Sequence, residues 1–359
     1  MRLTRRAFSG GSLAAFAAAL GAAPGSFARV AKAAEAAEAE ALLTHVAPEL
    51  RPIARVMMAG GGTPEFSDAT LPQIRANAAA AAAKRPPLRA DVPVVRRSVA
   101  WRAGAAEVPV YMINARPQVR RPVILYLHGG GWVGGDAMQR GPRLQALAAA
   151  LDCTVCSVEY GLAPEARYDV SLEQNYAVLK WLHREAEALG VDRRRIALMG
   201  ESAGGTHAAM TAFAARDRGE VPLVLQVLIY PALDDRTAST HQLPPFMGAL
   251  VWGPASHRYA WRCFLGMEPG GPDTPLAAAP GRRTDLAGLP PTFIGVGGID
   301  LLASENIDFS RRLTEAGVPT EFVLTPGAFH GFDNMAADTS LARAFDAAKT
   351  EALRRAFAI

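Results

Sequence analysis

R-R-I-A-L-M-G-E-S-A-G-G, Arg194 to Gly205, reads as an apolar strand that runs through G-x-S-x-G into a small-residue helix over Thr206 to Ala215. This is the pattern of a nucleophile elbow. Such a strand-to-helix turn needs glycine at Gly200 and Gly204, because neighbouring backbone leaves no room for a side chain, and it would lift Ser202 Oγ out at the head of a sheet. The helix N-terminus behind it favours developing negative charge. A bare G-x-S-x-G occurs by chance in many chains. Its strand and helix context is what makes Ser202 the candidate nucleophile.

Working outward from the elbow, strand-like runs fall at Val94 to Trp101, Val108 to Asn114, Val123 to Leu127, Thr154 to Tyr160, Arg195 to Met199, Val221 to Tyr230, Thr292 to Gly297 and Thr320 to Leu324. Helical patterns at Leu172 to Leu189, Ala203 to Arg216, Ser304 to Ala316 and Ser340 to Phe357 alternate with them. Continuous apolar strands such as V-L-Q-V-L-I-Y imply a sheet buried on both faces, hence an α/β fold with a mostly parallel central sheet flanked by helices. The first two strands are expected to form an antiparallel hairpin. Ahead of them, Leu43 to Leu88 is Ala-rich and helical, broken at Gly60 to Gly62 and Pro64 and closed by Pro86 and Pro87. It reads as an N-terminal cap over about residues 34–90. The catalytic domain then spans residues 91–359, with an insertion over about 235–287 rich in Pro, Trp and Tyr that would complete the cap.

A serine nucleophile needs a base and an orienting acid, and an elbow expects them in the order Ser, acid, His. Of the seven histidines, His330 alone follows the last strand in a glycine-marked loop, T-P-G-A-F-H-G-F. His207, five residues beyond Ser202, should point away from the hydroxyl and pack inside the elbow helix. Asp300 ends the strand T-F-I-G-V-G-G-I-D and is the preferred acid. Asp234 and Asp235 are the alternative, although they suit a polar hinge into the insertion better. Glu305 and Asp308 read as surface or helix-start residues. For the oxyanion, the strand V-I-L-Y-L leads into H-G-G-G-W at His128 to Trp132, whose Gly130 and Gly131 amides, with that of Ala203, would make a three-donor hole. The same glycines also spell G-x-G-x-x-G at Gly129, Gly131 and Gly134, with Glu159 placed as a ribose-binding acid. A dinucleotide-dependent oxidoreductase is therefore a rival reading, but it leaves Ser202, Asp300 and His330 unexplained.

The chain has 359 residues, half of them hydrophobic, with 38 Lys and Arg against 34 Asp and Glu, a composition that excludes disorder and fibrous repeats. The net charge of +4 is a property of the first 33 residues, which carry Arg2, Arg5, Arg6, Arg29 and Lys32 and no acid; without them it is −1. No basic surface for nucleic acid is left. Residues 1–33 have the parts of an export signal: a basic start, an uncharged stretch from Ala7 to Ala28, and small residues at Ala28 or Ala33 for cleavage. T-R-R-A-F at Thr4 to Phe8 resembles a twin-arginine signal, so the expected location is periplasmic or secreted, with membrane contact during export only. Cys153 and Cys156 form C-x-x-C, but positions three apart on a strand face opposite ways, so no disulfide is expected.

H-G-G-G-W, Y-G-L-A-P-E at Tyr160 to Glu165, G-E-S-A-G-G, D-L-L at Asp300 to Leu302 and H-G-F at His330 to Phe332 together resemble the bacterial hormone-sensitive-lipase-like esterases of the α/β-hydrolase fold. The resemblance covers about Leu43 to the C-terminus. It implies a capped serine carboxylesterase without cofactor or metal, acting on a small acyl ester of short to medium chain. Glu201, Gly161 and Leu301 depart from the Asp, Arg and Pro usual in that family, and none of them removes a catalytic atom. Trp132, Phe246 and Trp252 are candidates for an apolar substrate pocket. An amidase or formamidase would use the same triad, and a hydrolase-like binding protein would have no need of both Ser202 and His330.

Overall fold

The computed structural model describes residues 36–117 and 119–359. It divides into two compact units, Met1–His45 and Val46–Ile359. In the first, residues 36–45 are helical; residues 1–33, the expected export signal, lie outside the described residues.

The second unit is built on an eight-stranded sheet in the order β1-β2-β4-β3-β5-β6-β7-β8. The strands are β1 (Val94–Val99), β2 (Val108–Ile113), β3 (Arg121–Leu127), β4 (Thr154–Val158), β5 (Val191–Glu201), β6 (Leu225–Ile229), β7 (Thr292–Gly297) and β8 (Thr320–Thr325). The expected hairpin is present: β1 pairs antiparallel with β2, and β2 antiparallel with β4. From β4 to β8 every pairing is parallel. Strands β3 to β7 are buried along their whole or nearly whole length, as a sheet covered by helices on both faces requires. At the edge, β1 presents Arg96 and Arg97 to solvent, charges that discourage pairing with another chain.

β3 lies between β4 and β5, so successive connections leave it in opposite directions and open a crevice at the carboxyl ends of the strands, where ligands bind in open α/β sheets. The β3–β5 register pairs Leu127 with Gly200. That pairing sets the H-G-G-G turn beside the elbow.

The strand boundaries differ from the sequence reading in informative ways. β5 begins at Val191, four residues before the expected Arg195, and Arg193 and Arg194 are exposed residues of the strand. β6 is the short Leu225–Ile229, because Pro222 cannot donate to the ladder. Two helices carried no clear periodic signal: Gly141–Ala150, in which alanines blur the apolar face, and Pro254–Leu265, inside the insertion. Leu172 to Leu189 is a helix at Tyr168–Arg184 followed by a short one at Ala186–Leu189.

The segment before the sheet forms helices at Arg51–Ala59 and Leu71–Ala82. Arg75 anchors the second: its guanidinium donates to the carbonyls of Val133 (2.8 Å) and Ala163 (2.7 Å) and to the Glu165 carboxylate (2.7 Å). One side chain thereby ties this helix to the loops that follow β3 and β4. The insertion is pinned by Asp235, which is fully buried and accepts from Arg282 Nη2 (3.0 Å) and the Thr274 hydroxyl (2.7 Å). Asp235 and Asp234, which pairs with Arg236, are thus the polar hinge of the insertion.

Candidate active site

Ser202 adopts φ 56° and ψ −122° between β5 and the helix Ala203–Arg218. A side chain disfavours positive φ, and here the surroundings enforce it. A Cβ on Gly200 would lie 2.0 Å from the Gly204 carbonyl oxygen, and one on Gly204 would lie 2.0 Å from that of Leu127. Glycine is therefore obligatory at both positions. Ser202 N–H donates to the Ile229 carbonyl at 2.8 Å, which fastens the turn to β6. The serine itself is half-buried, within reach of a ligand.

The ends of β7 and β8 bring two further groups to it. His330 Nε2 is 3.0 Å from Ser202 Oγ, and His330 Nδ1 is 2.8 Å from Asp300 Oδ2. Asp300 is fully buried, and its other oxygen accepts from the Leu302 amide at 2.9 Å. With Nδ1–H donating to the carboxylate, Nε2 is left as an acceptor facing the hydroxyl, the arrangement a general base needs.

Gly130 and Gly131 occupy positive φ, 133° and 61°. A Cβ on Gly129 would be 2.9 Å from the Glu201 carbonyl oxygen and 3.4 Å from Ser202 Cβ, so the turn packs directly on the elbow. Among the described residues, no backbone carbonyl takes up the amides of Gly130, Gly131 or Ala203. An array of free amides beside a serine is suited to stabilising an oxyanion.

The remaining histidines are structural or peripheral. His128 is fully buried against Tyr160 (ring centroids 4.1 Å apart), and burial lowers its pKa to about 4. His207 packs between Tyr160 and Phe264, with its pKa lowered to about 3 by burial. His183 lies on the helix Tyr168–Arg184 and His241 is exposed. All three cysteines are free and buried, and desolvation pushes the Cys153 thiol up to about 12. Glu159 is no ribose ligand in this arrangement: it accepts the Ala137 amide at 2.9 Å.

One expected placement is corrected. Trp132 belongs to the core, not to a substrate pocket, since only 1% of it is exposed and its ring stacks on Phe264 at 4.6 Å. Its positive φ of 61° turns it away from the path of the preceding strand. Glu305 starts its helix but is buried rather than at the surface, accepting the Leu233 amide at 2.7 Å and the Thr237 hydroxyl. Desolvation holds its carboxyl well above the usual range. Phe246 is half-buried in the turn before Gly248. Trp252 does reach the site, with its ring centroid 6.3 Å from that of His330.

Three neighbours went unnoticed in the sequence. Tyr230 packs its ring 4.6 Å from His330 and donates its hydroxyl to Asp333 at 3.0 Å. Phe66 meets Trp252 edge-on at 5.7 Å. These are single aromatic or acidic residues without a spacing rule, although Tyr230 and Asp333 do stand beside a strand end and the H-G-F segment.

Residues 124–334 match the model of a family described as having the alpha/beta hydrolase fold. The chain belongs to that family, in its hormone-sensitive-lipase-like branch. It is 37% identical over 262 residues to Carboxylesterase NlhH of Mycobacterium tuberculosis, covering 70% of this chain and 80% of the relative. It is 35% identical over 257 residues to Esterase LipI of the same organism, covering 69% and 77%. Among solved structures it resembles a bacterial heroin esterase with a TM-score of 0.79 and 34% identity, over 88% of this chain and 99% of the other. The family's departures are accommodated without touching the site. Glu201 turns toward Arg140, with Oε2 3.4 Å from its Nε; Gly161 donates its amide to Gln174 at 2.7 Å; and Leu301 is buried.

Proposed function

We infer that the protein is a serine carboxylesterase in which Ser202 attacks the ester carbonyl, His330 takes the hydroxyl proton and returns it to the leaving alcohol, and Asp300 holds the imidazole. The observation that carries the reading is the chain of two hydrogen bonds from Ser202 through His330 to Asp300, in a protein related to esterases along most of its length. Attack forms a Ser202 ester and releases the alcohol; water, deprotonated by His330, then attacks the acyl-enzyme and frees the acid. The amides of Gly130, Gly131 and Ala203 receive the oxyanion in both halves.

Short- to medium-chain acyl esters are the proposed substrates. Aromatic residues of the insertion and of the preceding helical segment meet over the site, as Phe66 and Trp252 do, and a covered pocket limits chain length. The decisive experiment incubates the protein with an organophosphate and assays a panel of acyl esters from acetate to palmitate, together with anilides and formamides. Labelling confined to Ser202 and highest turnover on short or medium esters is the expected result. Preference for anilides or formamides would make it an amidase, and an unlabelled Ser202 would remove the nucleophile.

We also propose export by the twin-arginine route, on the strength of Arg5, Arg6 and the uncharged stretch behind them. In an Arg5→Lys, Arg6→Lys form the full-length precursor should stay in the cytoplasm. Its efficient export would exclude that route.

A further inference from the structure

Three side chains within the short segment Gln139 to Arg143 each reach a different part of the site. Gln139 Nε2 donates to the Gly129 carbonyl at 3.1 Å, and Arg140 Nε to Glu201 Oε2 at 3.4 Å. Arg143 Nη1 donates to the Asp333 carbonyl at 3.2 Å and to Asn334 Oδ1. The segment leads from β3 into the helix Gly141–Ala150. One stretch of chain thus touches the oxyanion turn, the elbow and the turn that carries the base.

The elbow and the base turn are not equally supported. Ser202 heads a sixteen-residue helix, whereas His330 is followed by the four-residue helix Phe332–Met335. So short a helix gains little from its own hydrogen bonds, and its carbonyls have no intrahelical partner at the C-terminal end. Ahead of His330, the Ile299 amide donates to the Ala328 carbonyl at 3.1 Å and ties the turn to the end of β7. Behind it, Phe332 packs 5.1 Å from Phe345, and the Tyr230 hydroxyl bonds the side chains of Asp333 and Asn334. Those contacts hold side chains. Arg143 takes a main-chain carbonyl as well, that of Asp333. Its Nη2 donates to Asp346 of the helix Ser340–Phe357, and Lys349 pairs with the same carboxylate at 2.6 Å. The planar fork of one guanidinium therefore joins its own helix, the base turn and the C-terminal helix.

His330 Nε2 and Ser202 Oγ lie 3.0 Å apart on segments that follow β8 and β5, with β6 and β7 between them. A shift of the base turn by about an ångström would break that contact, and a displacement of this size can cost about 10^2-fold in rate. Among the described residues no hydrogen bond joins Arg143 to Ser202, His330 or Asp300. We propose that Arg143 is a positioning residue of the base, fixing the backbone of the Phe332–Met335 turn so that His330, whose ring Asp300 orients, stays in register with Ser202. The proposal rests on the esterase reading above and adds a residue to it.

The Arg143 side chain is 34% exposed, on the wall of an open cavity of about 250 Å³ that Arg140, Leu147 and Met199 also line. A free guanidinium ion therefore has a route to the space that Arg143→Ala vacates. In that variant, kcat for p-nitrophenyl acetate should fall roughly tenfold with KM within about twofold of wild type, and the rate of organophosphate labelling of Ser202 should fall in parallel. Millimolar guanidinium should raise the variant's kcat by about threefold or more. Methylammonium, a point charge without the fork, should not raise it, and neither ion should change the wild type. Asp346→Ala removes the other partner of the fork, and should lower Tm while keeping kcat within about threefold of wild type. Arg143→Lys keeps a charge beside Asp346 but not the fork, so it too should lose kcat with KM unchanged, and it carries the comparison if circular dichroism shows Arg143→Ala unfolded. Wild-type kcat in a folded Arg143 variant, or no response of folded Arg143→Ala to guanidinium, overturns the proposal. So does an equal loss of kcat in Asp346→Ala, which would make the arginine a tether of the C-terminal helix. Acetate turnover and Ser202 labelling in the wild type report separately on the esterase reading, so the two failures are distinguishable.

Discussion

The elbow and the insertion both close on Ser202, but they are held in opposite ways. At the elbow, backbone meets backbone: the Cβ positions of Gly200 and Gly204 are filled by carbonyl groups 2.0 Å away. In the insertion, side chain meets side chain: Asp235 with Arg282 and Thr274, Trp252 with Phe66, Trp261 with Trp132. Backbone packing at that distance admits only glycine, whereas a side-chain junction can be made from many residue pairs. The backbone around Ser202 is therefore the part of the site with the least freedom to vary, and the insertion the part with the most.

The sharpest way to break this contrast is to remove the nucleophile. Ser202→Ala should lower ester turnover by on the order of 10^4-fold or more, because triad members act as a unit, and leave the circular dichroism spectrum unchanged. An alanine variant retaining most of its activity would detach the elbow from the chemistry altogether.

A second comparison separates two buried carboxylates that the sequence offered for one role. Asp300→Asn should cost at least about a hundredfold in kcat, since the amide can no longer hold the imidazole with Nε2 as acceptor. Asp235→Asn should spare turnover at low temperature and act on stability instead. Asp235 is fully buried and the Arg282 side chain is only 12% exposed, and breaking one side of a buried pair typically costs about 3–5 kcal/mol. Turnover and thermal unfolding of both variants should therefore rank in opposite orders. If Asp235→Asn proved the more damaging to kcat, the acid would belong to the end of β6.

How much of this was legible follows from the same physics. The buried strands β3 to β7 and the residues Ser202, Asp300 and His330 could be picked out because parallel strands covered on both faces are mostly apolar and their carboxyl ends are marked by Gly, Asp or His in fixed order. The H-G-G-G turn was legible because its conformation needs glycine. By contrast, the helix Gly141–Ala150 hid its buried face among alanines, and Trp132 looked like a pocket residue because an aromatic beside a glycine turn carries no sign of which way it faces. Glu305 stands at a helix start, as its sequence context suggests, but a charge there is ordinarily solvated, and only the contacts with Leu233 and Thr237 remove it from water. Tyr230 and Asp333 stand 103 residues apart, and nothing local announces that they meet.

That pair supplies the finest test of where the elbow's rigidity ends. Tyr230 has a φ of 36° at the end of β6, its ring lies 4.6 Å from the His330 imidazole, and its hydroxyl donates to Asp333 Oδ1 and accepts from Asn334 Nδ2, each at 3.0 Å. Burial holds the phenol well above its usual range, so it remains a protonated donor. Asp333 is fully buried three residues beyond His330, with its other oxygen 3.7 Å from Arg143 Nη1, and desolvation raises its carboxyl. The tyrosine ring thus lies against the imidazole while its hydroxyl is held between Asp333 and Asn334. Tyr230→Phe keeps the ring but leaves Asp333 Oδ1 only the longer contact from Asn334 Nδ2 at 3.3 Å, and the imidazole should lose part of its orientation. A fall in kcat of roughly three- to tenfold with KM nearly unchanged is expected, because misplacing the base weakens the transition state and leaves ground-state binding alone. Asp333→Asn should act on the same bond, so the double variant should be little worse than the poorer single one. If KM rises in Tyr230→Phe while kcat holds, the tyrosine is a wall of the substrate pocket, and positioning of His330 belongs to Asp300 alone.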